Sequence, residues 1–528
     1  MSSLLAYLRQ GVHRGNDVSG TDEALVFFGG GQRTSLTYGE LWAAVDHCGN
    51  VISQRYRSGH RIGLLAPNSP QHLIATLGLL VSGNCCTLLN PEWSDEVLGE
   101  TLKTLGIDVV LCRESDQDRV GDMATALNVS AIAGAPGVTG LEPAVPAQDS
   151  LIMFTSGSTG APKAVPISGE GYAWTLDKFG FLADELVHRR VFVAAPLFHM
   201  NAQFHSFMTL AYGGTLVLAE HYDPIQTLAL IREEKLDRLT GVPTMFEQLL
   251  LAVDKYPVAA SIMKGVDHHS SEKPMIYPEV RSVAMGSSSA STELFSRLAT
   301  LFPNAGISNG FGTTETGPAI FGAHPDGLAT PAGSIGFPMA GIDVRLAPEA
   351  DQEGGRSTSE SEVGSLRGEL HVRSPMVARG YLNNAAASAD RFYDGWYRTG
   401  DLFRCDNNGF YYVIGRSDDM FNVGGHNLYP QEVEERLLGH SAVLQAAVVP
   451  KADRVKGAVP VAFVVIREDA SFDESLLRQY CIEHGPAWAH PRRVIELGAL
   501  PLTAVKKLDR KRLTSDANKL EYRPRGND

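Results

Sequence analysis

Short, almost wholly apolar runs alternate with segments that open like helices, and this alternation restricts the fold more than any other feature of the chain. Residues 62–66, 109–112, 191–195 and 216–219 are such runs, with the length and composition of strands buried on both faces. Helix openings lie between them. Thr37-Tyr-Gly-Glu40 is a capping box, and Ser94 followed by Asp95 and Glu96 places acid at the positive end of a helix. Asp223-Pro224 supplies an N-cap and a proline at the first helical position, ahead of the periodic run 225–235. Strand alternating with helix predicts an α/β fold of mainly parallel sheets covered by helices. The greasiest stretch, 73–89, is broken by Ser82-Gly83-Asn84 and reads as a buried helix turning into a buried strand, not as a membrane span.

A chain of 528 residues exceeds what one core holds and should divide. After Gly415 the pattern changes to a helix near 431–437, apolar runs at 446–449 and 461–466, and a helix at 474–483. This predicts a small separate α+β domain of about a hundred residues, a common domain size. The reading is therefore a large N-terminal domain, 1–417, and a C-terminal domain, 418–528. Residues 133–146 and 350–363, rich in Gly, Ala, Pro, Glu and Ser, read as connectors. A net charge of -14 excludes a nucleic-acid surface, which needs a basic stripe, but leaves room for a local cluster that binds a small anion. Six cysteines form no Cys-x-x-Cys pair and no zinc spacing, so they read as reduced and packed. Residues 1–17 lack the apolar segment of a secretory signal, and the expected location is cytoplasmic.

The chemistry begins at Phe154-Thr-Ser-Gly-Ser-Thr-Gly-Ala-Pro-Lys163. Gly157 and Gly160 let backbone N–H groups approach an anion, Thr155, Ser156, Ser158 and Thr159 add hydroxyl donors, and Lys163 adds charge. This is the build of a phosphate cradle. Pro162 before the lysine and Ala164 after it exclude the Gly-x-x-x-x-Gly-Lys-Ser/Thr nucleotide loop.

Four further motifs follow: Asn309-Gly-Phe-Gly-Thr-Thr-Glu315, Tyr397-Arg-Thr-Gly-Asp401, Gly415-Arg-Ser-Asp-Asp419 with Gly424 and Gly425, and Pro501-Leu-Thr-Ala-Val-Lys-Lys507. In this order the set resembles the adenylate-forming superfamily of acyl- and aryl-CoA ligases, luciferases and peptide-synthetase adenylation domains. The resemblance implies an acyl-CoA ligase that uses ATP, Mg2+ and coenzyme A. A carboxylate attacks the α-phosphate of ATP and displaces pyrophosphate, giving an acyl-adenylate; the CoA thiol then attacks the acyl carbon and displaces AMP, giving the thioester. By the same resemblance the 155–163 loop holds the β- and γ-phosphates, and Phe311, flanked by Asn309, Gly310, Gly312 and Thr313, stacks on adenine beside Ser287 and Ser288. Thr314 meets the α-phosphate, Glu315 the magnesium ion, Asp401 both ribose hydroxyls and Arg416 the nucleotide. Lys507 bridges carboxylate and α-phosphate, Asp418 is the hinge, Gly424 and Gly425 line the pantetheine channel, and His199 stands beside the acyl pocket.

Rival readings attach to particular residues. Gly306-Ile-Ser-Asn-Gly310 has the spacing of a hydrolase nucleophile elbow at Ser308. A scaffold that kept the fold without the chemistry is argued against by intact Lys163, Glu315, Asp401 and Lys507. Within the superfamily the alternative acceptor is an acyl carrier protein loaded by a free-standing adenylation domain. Two positions depart from the family pattern: Lys506 stands where relatives usually carry Gly, and His490 where they often carry Lys. The first admits an enzyme that works mainly from a preformed acyl-adenylate. Small residues near 199–203, 241–244 and 285–288 leave volume for a bulky aryl, alicyclic or medium-chain acid.

Overall fold

The computed structural model describes residues 3–14, 18–133, 148–156, 161–255, 276–288, 290–331, 333–348, 366–467, 470–502 and 508–520. Of the connector expected at 133–146, Ala133 ends helix Val129–Ala133 and residues 134–146 lie outside the described residues, as does the connector expected at 350–363. Packing gathers the chain into two units, one of Met1–Gly327, Pro338–Asp343 and Val372–Tyr397, the other of Leu328–Phe337, Val344–His371 and Arg398–Asp528.

In the first unit, β1 (Glu23–Gly29) and β2 (Gln32–Thr37) pair antiparallel. Strands β3 (Arg61–Leu65), β4 (Cys85–Leu89), β5 (Val109–Cys112), β6 (Thr125–Asn128), β7 (Leu151–Ser156) and β8 (Pro162–Ile167) form one sheet in the order β6-β5-β3-β4-β7-β8. All its pairs are parallel except the β7–β8 hairpin. Strands β9 (Arg190–Val193), β10 (Thr215–Ala219), β11 (Arg238–Gly241), β12 (Ser282–Gly286) and β13 (Gly306–Gly310) join the first pair in the order β13-β12-β11-β9-β10-β1-β2. The apolar runs of the sequence are these strands, and the α/β expectation holds.

The helix openings also form as written. Thr37 accepts from the Glu40 N–H while the Glu40 side chain returns to the Thr37 N–H; Ser94 and Asp223 cap Asp95–Leu105 and Pro224–Glu233. Helix Pro70–Val81 is apolar over most of its surface, whereas Met200–Ala211 interleaves Asn201, Gln203, His205, Ser206 and Thr209 with its apolar residues; both are almost wholly buried and share one core with residues of both sheets. Close approach of Pro70–Val81 to Tyr38–Ser53 depends on Gly78, where a Cβ would stand 2.5 Å from the Cys48 sulfur. All six cysteines are free and buried.

The second unit contains the part of strand Trp396–Cys405 from Arg398 onward, paired antiparallel with Tyr411–Arg416, and a sheet of Phe421–Val423, His426–Leu428, Val443–Asp453, Gly457–Ile466 and Arg493–Glu496. Pro430–Leu438 and Glu474–Glu483 supply its expected helices. Asp418 lies inside this unit, in the short turn Ser417–Asp419. Among the described residues no helix is long and apolar enough to cross a membrane.

Candidate active site

Parallel pairing of β9, β11, β12 and β13 puts their C-terminal ends on one edge, where open α/β sheets bind ligands. The loop after β9 carries His199, β11 ends at Gly241, β12 runs into Ser287 and Ser288, and β13 runs into Phe311. Asn68 fixes the first of these loops: its Oδ1 accepts from the Leu197 N–H at 2.8 Å, and its Nδ2 donates to the carbonyls of Ala195 and Ala219. His199 then begins helix Met200–Ala211, its ring 4.5 Å from that of Phe198. Asn201 faces Gly286, where a Cβ would meet its Nδ2 at 3.1 Å. Gln203, 1 % exposed, has neither carboxamide atom hydrogen-bonded.

Ser287 adopts a left-handed φ of 70°, a strained state for a residue with a Cβ, and the Ser288 carbonyl accepts from Asn309 Nδ2 at 3.1 Å. Beyond Gly310 the chain turns tightly. A Cβ at Gly312 would lie 2.3 Å from the Gly317 carbonyl, and Thr313 and Thr316 cap one another through their hydroxyls and N–H groups. Phe311 stays half-buried, its ring edge-on to Phe321 at 6.3 Å, and Thr314 is half-buried beside it in sequence. Ser308 sits within β13, its Oγ directed to the Val283 carbonyl, so the strand-turn-helix context of a nucleophile elbow is missing.

The turn delivers Glu315. Its side chain is 5 % exposed, its Oε1 accepts from the Tyr381 hydroxyl at 2.8 Å, and its backbone carbonyl accepts from the Ala378 N–H at 2.8 Å. Among the described residues no donor reaches the other carboxylate oxygen. A buried carboxylate half-satisfied in this way fits a hard cation whose remaining positions are filled by water and phosphate oxygens. Among the described residues no cluster of three or more His, Cys, Asp or Glu side chains competes for such an ion.

Thr155 and Lys163 are direct cross-strand partners in the β7–β8 hairpin, which sets their side chains on one face of the sheet. Lys163 Nζ lies 5.1 Å from the centroid of the Tyr381 ring. Residues 157–160 of the cradle, Gly157, Ser158, Thr159 and Gly160, lie outside the described residues, as does the Ser156 side chain. The structure thus brings Lys163 and Glu315 to one tyrosine. Sequence reasoning missed that tyrosine, whose only signal was its place in a short Arg379-Gly-Tyr381 run.

In the second unit Asp401, 8 % exposed, is registered opposite Arg416, with Oδ1 3.7 Å from Arg416 Nε. Arg416 Nη2 stands equally far, 3.7 Å, from Asp418. The Asp401 N–H donates to Thr399 Oγ1, which donates to the Leu370 carbonyl at 2.8 Å. Gly424 and Gly425 form the hairpin turn after Val423 with φ of 60° and 95°, values that favour glycine. A Cβ at Gly425 would meet nothing within 4 Å. Lys507 and Lys506 lie outside the described residues; at the base of their loop Leu502 bridges Leu508 and the Asp509 N–H donates to the Pro501 carbonyl. His490, directed to the Ala487 carbonyl and beside Arg492, has its pKa pushed down by burial and then by that cation.

Comparison with known proteins decides the family. A model described as AMP-binding enzyme matches residues 13–382, and one described as AMP-binding enzyme C-terminal domain matches 432–507. The chain belongs to the AMP-binding enzyme family. It is 28% identical over 483 residues to a 2-succinylbenzoate–CoA ligase of Bacillus licheniformis, covering 90% of this chain and 94% of that one. It is 29% identical over 481 residues to a feruloyl-CoA synthase of Amycolatopsis sp, covering 90% and 92%. The solved o-succinylbenzoate CoA synthetase of Bacillus subtilis, in complex with its acyl-adenylate intermediate, matches with a TM-score of 0.77 at 26% identity over 96% of this AMP-binding chain and 97% of its own. The same enzyme with ATP and a magnesium ion gives 0.77 at 25%, over 96% and 98%.

Proposed function

We propose that the chain is an AMP-forming acid–thiol ligase that converts a bulky, aryl-type carboxylic acid to its adenylate and then to its CoA thioester. The observation that carries this is the half-satisfied carboxylate of Glu315 sharing Tyr381 with Lys163, in a chain whose relatives are named as a CoA ligase and a CoA synthase. Phosphoryl and adenylyl transfer ask little covalent chemistry of a protein, which must position reactants and offset accumulating negative charge.

Lys163 and the hydroxyls of Thr155, Ser156, Ser158 and Thr159 hold the β- and γ-phosphates, Phe311 stacks on adenine, and Thr314 meets the α-phosphate. Magnesium, when bound at Glu315, neutralises phosphate charge. Asp401 accepts from both ribose hydroxyls, with Arg416 alongside, and Lys507 bridges the acid and the α-phosphate. Asp418 is the hinge between the adenylation and thioester poses, and Gly424 and Gly425 line the thiol channel in the second, with 1–417 and 418–528 as the bodies that move. Gly241 and Gly286 open the acyl pocket at the strand ends, and relatives named for 2-succinylbenzoate and ferulate handle aromatic acids. The setting is the cytoplasm, where CoA is the acceptor.

A panel of aryl, alicyclic and medium-chain acids, each with ATP, magnesium and CoA, tests the reading by mass-spectrometric detection of the thioester. No thioester from any acid, and none from the matching synthetic adenylates, overturns it. A second reading rests on Lys506, which restricts the loop backbone and adds a cation beside Lys507. It predicts thioester from adenylate plus CoA but little from acid plus ATP; equal yields remove it.

A further inference from the structure

The segment after residue 374 is strapped across both anion-handling parts of the first unit. The Ala378 N–H donates to the Glu315 carbonyl at 2.8 Å, and the Leu382 N–H donates to the Ala164 carbonyl, next to Lys163, at 2.9 Å. Arg379 anchors the strap by donating from Nη2 to Asp149 at 2.6 Å, just before β7. Met376 presses on the Glu315 turn so closely that a Cβ at Gly317 would stand 2.6 Å from its Cγ. At the strap's centre Tyr381 has two contacts of different kinds: its hydroxyl donates to Glu315 Oε1 at 2.8 Å, and its ring carries Lys163 Nζ at 5.1 Å. The Tyr397 hydroxyl backs the Tyr381 hydroxyl at 3.3 Å, and the two residues are only 4 % and 7 % exposed respectively.

We propose that Tyr381 is a positioning residue of the adenylation step, fixing Glu315 and Lys163 relative to one another so that magnesium-bound phosphates meet both. Its bond to Oε1 sets the carboxylate rotamer and directs the unpartnered oxygen to the metal, while the ring holds the lysine head by cation–π attraction. A phenol, with an ordinary pKa of about 10, keeps its proton near neutral pH, so the hydroxyl is a donor to Glu315. Adenylation uses this geometry; transfer from a finished adenylate to the thiol does not.

The inference rests on the ligase reading but is judged separately from it, because its first readout is binding. Calorimetry compares MgATP with magnesium-free AMP on the wild type, Tyr381→Phe, which keeps the ring, and Tyr381→Leu, which removes both contacts. Tyr381→Phe should raise the Kd of MgATP about tenfold, equivalent to about 1.4 kcal/mol. Tyr381→Leu should raise it further. AMP affinity should stay at the wild-type value in both, and thioester yield from synthetic adenylate plus CoA should hold while yield from acid plus ATP falls. Unchanged MgATP affinity in Tyr381→Phe overturns the proposal, as does a loss shared equally by AMP and MgATP. Should circular dichroism show either variant unfolded, Tyr397→Phe decides: a smaller rise in the MgATP Kd supports the role, and none overturns it. Wild-type protein yielding no thioester from acid or adenylate removes the ligase reading, while the MgATP comparison still judges Tyr381.

Discussion

Asp401 is a carboxylate at the edge of burial, 8 % exposed, whose backbone is pinned through Thr399 to Leu370. Held so rigidly, it suits the two ribose hydroxyls assigned to it. Asp401→Ala should cost roughly 3 kcal/mol or more of nucleotide binding, taking each bond to a charged acceptor as about 1.5 to 3. Calorimetry with AMP checks this, and an unchanged Kd removes the assignment. Gln203 presents the opposite case, a carboxamide buried without a partner, which costs on the order of 1–3 kcal/mol. Gln203→Leu should therefore stabilise the fold by about 1 kcal/mol, visible as a raised Tm, if that desolvation cost is relieved. It should also lower kcat/KM for acids with a hydrogen-bonding substituent more than for their unsubstituted analogues; an unaltered acid ranking means the pocket does not use it. Glu315 and Asp401 were legible in the sequence because each sits in a short motif. Tyr381 was not, because its meaning arises from a bond across 66 positions that no local pattern announces.

Elements were legible where their cause is local. The Thr37–Glu40 capping box, the Ser94 and Asp223 caps and the four apolar runs need only neighbours to declare them, and all formed. The Ser308 pattern misled for the complementary reason: its spacing is local, but an elbow is defined by the elements on either side, and here a strand runs straight through. Gly424 and Gly425 form a turn whose positive φ values supply the reason for glycine at both positions. The assigned role gives a sharper expectation. A Cβ at Gly425 meets no neighbour within 4 Å, so the cost of starting a side chain there in Gly425→Trp is chiefly backbone strain of about 1–2 kcal/mol, and the hairpin should persist. Pyrophosphate release with acid and ATP should continue while thioester formation falls at least about tenfold, an added barrier of about 1.4 kcal/mol. Equal losses in the two assays would count against a channel at this turn.

For the whole molecule, two buried histidines set a limit in acid. Burial holds His72 at about 4 and His205 at about 3, against the ordinary 6.5, so both are neutral in the fold and charge on unfolding. Their stabilising effect is complete above pH 6.5 and is lost as pH falls toward those values, each at about 1.4 kcal/mol per pH unit. Melting temperature should drop steadily between pH 6.5 and 5, and less steeply in His72→Gln; parallel curves refute the assignment. The α/β class and the small C-terminal sheet were readable because alternation and a change of pattern run along the chain. The return of Val372–Tyr397 to the first unit was not, since packing of that kind is a long-range event. That return has a consequence for biosynthesis. The tyrosine that grips Glu315 leaves the ribosome only after Val344–His371, which belong to the other unit, so the nascent first unit must wait with the Glu315 carboxylate unclamped. A chain interrupted before residue 381 keeps both sheets yet lacks the clamp, together with Asp401, and should bind MgATP more weakly than the full chain in calorimetry.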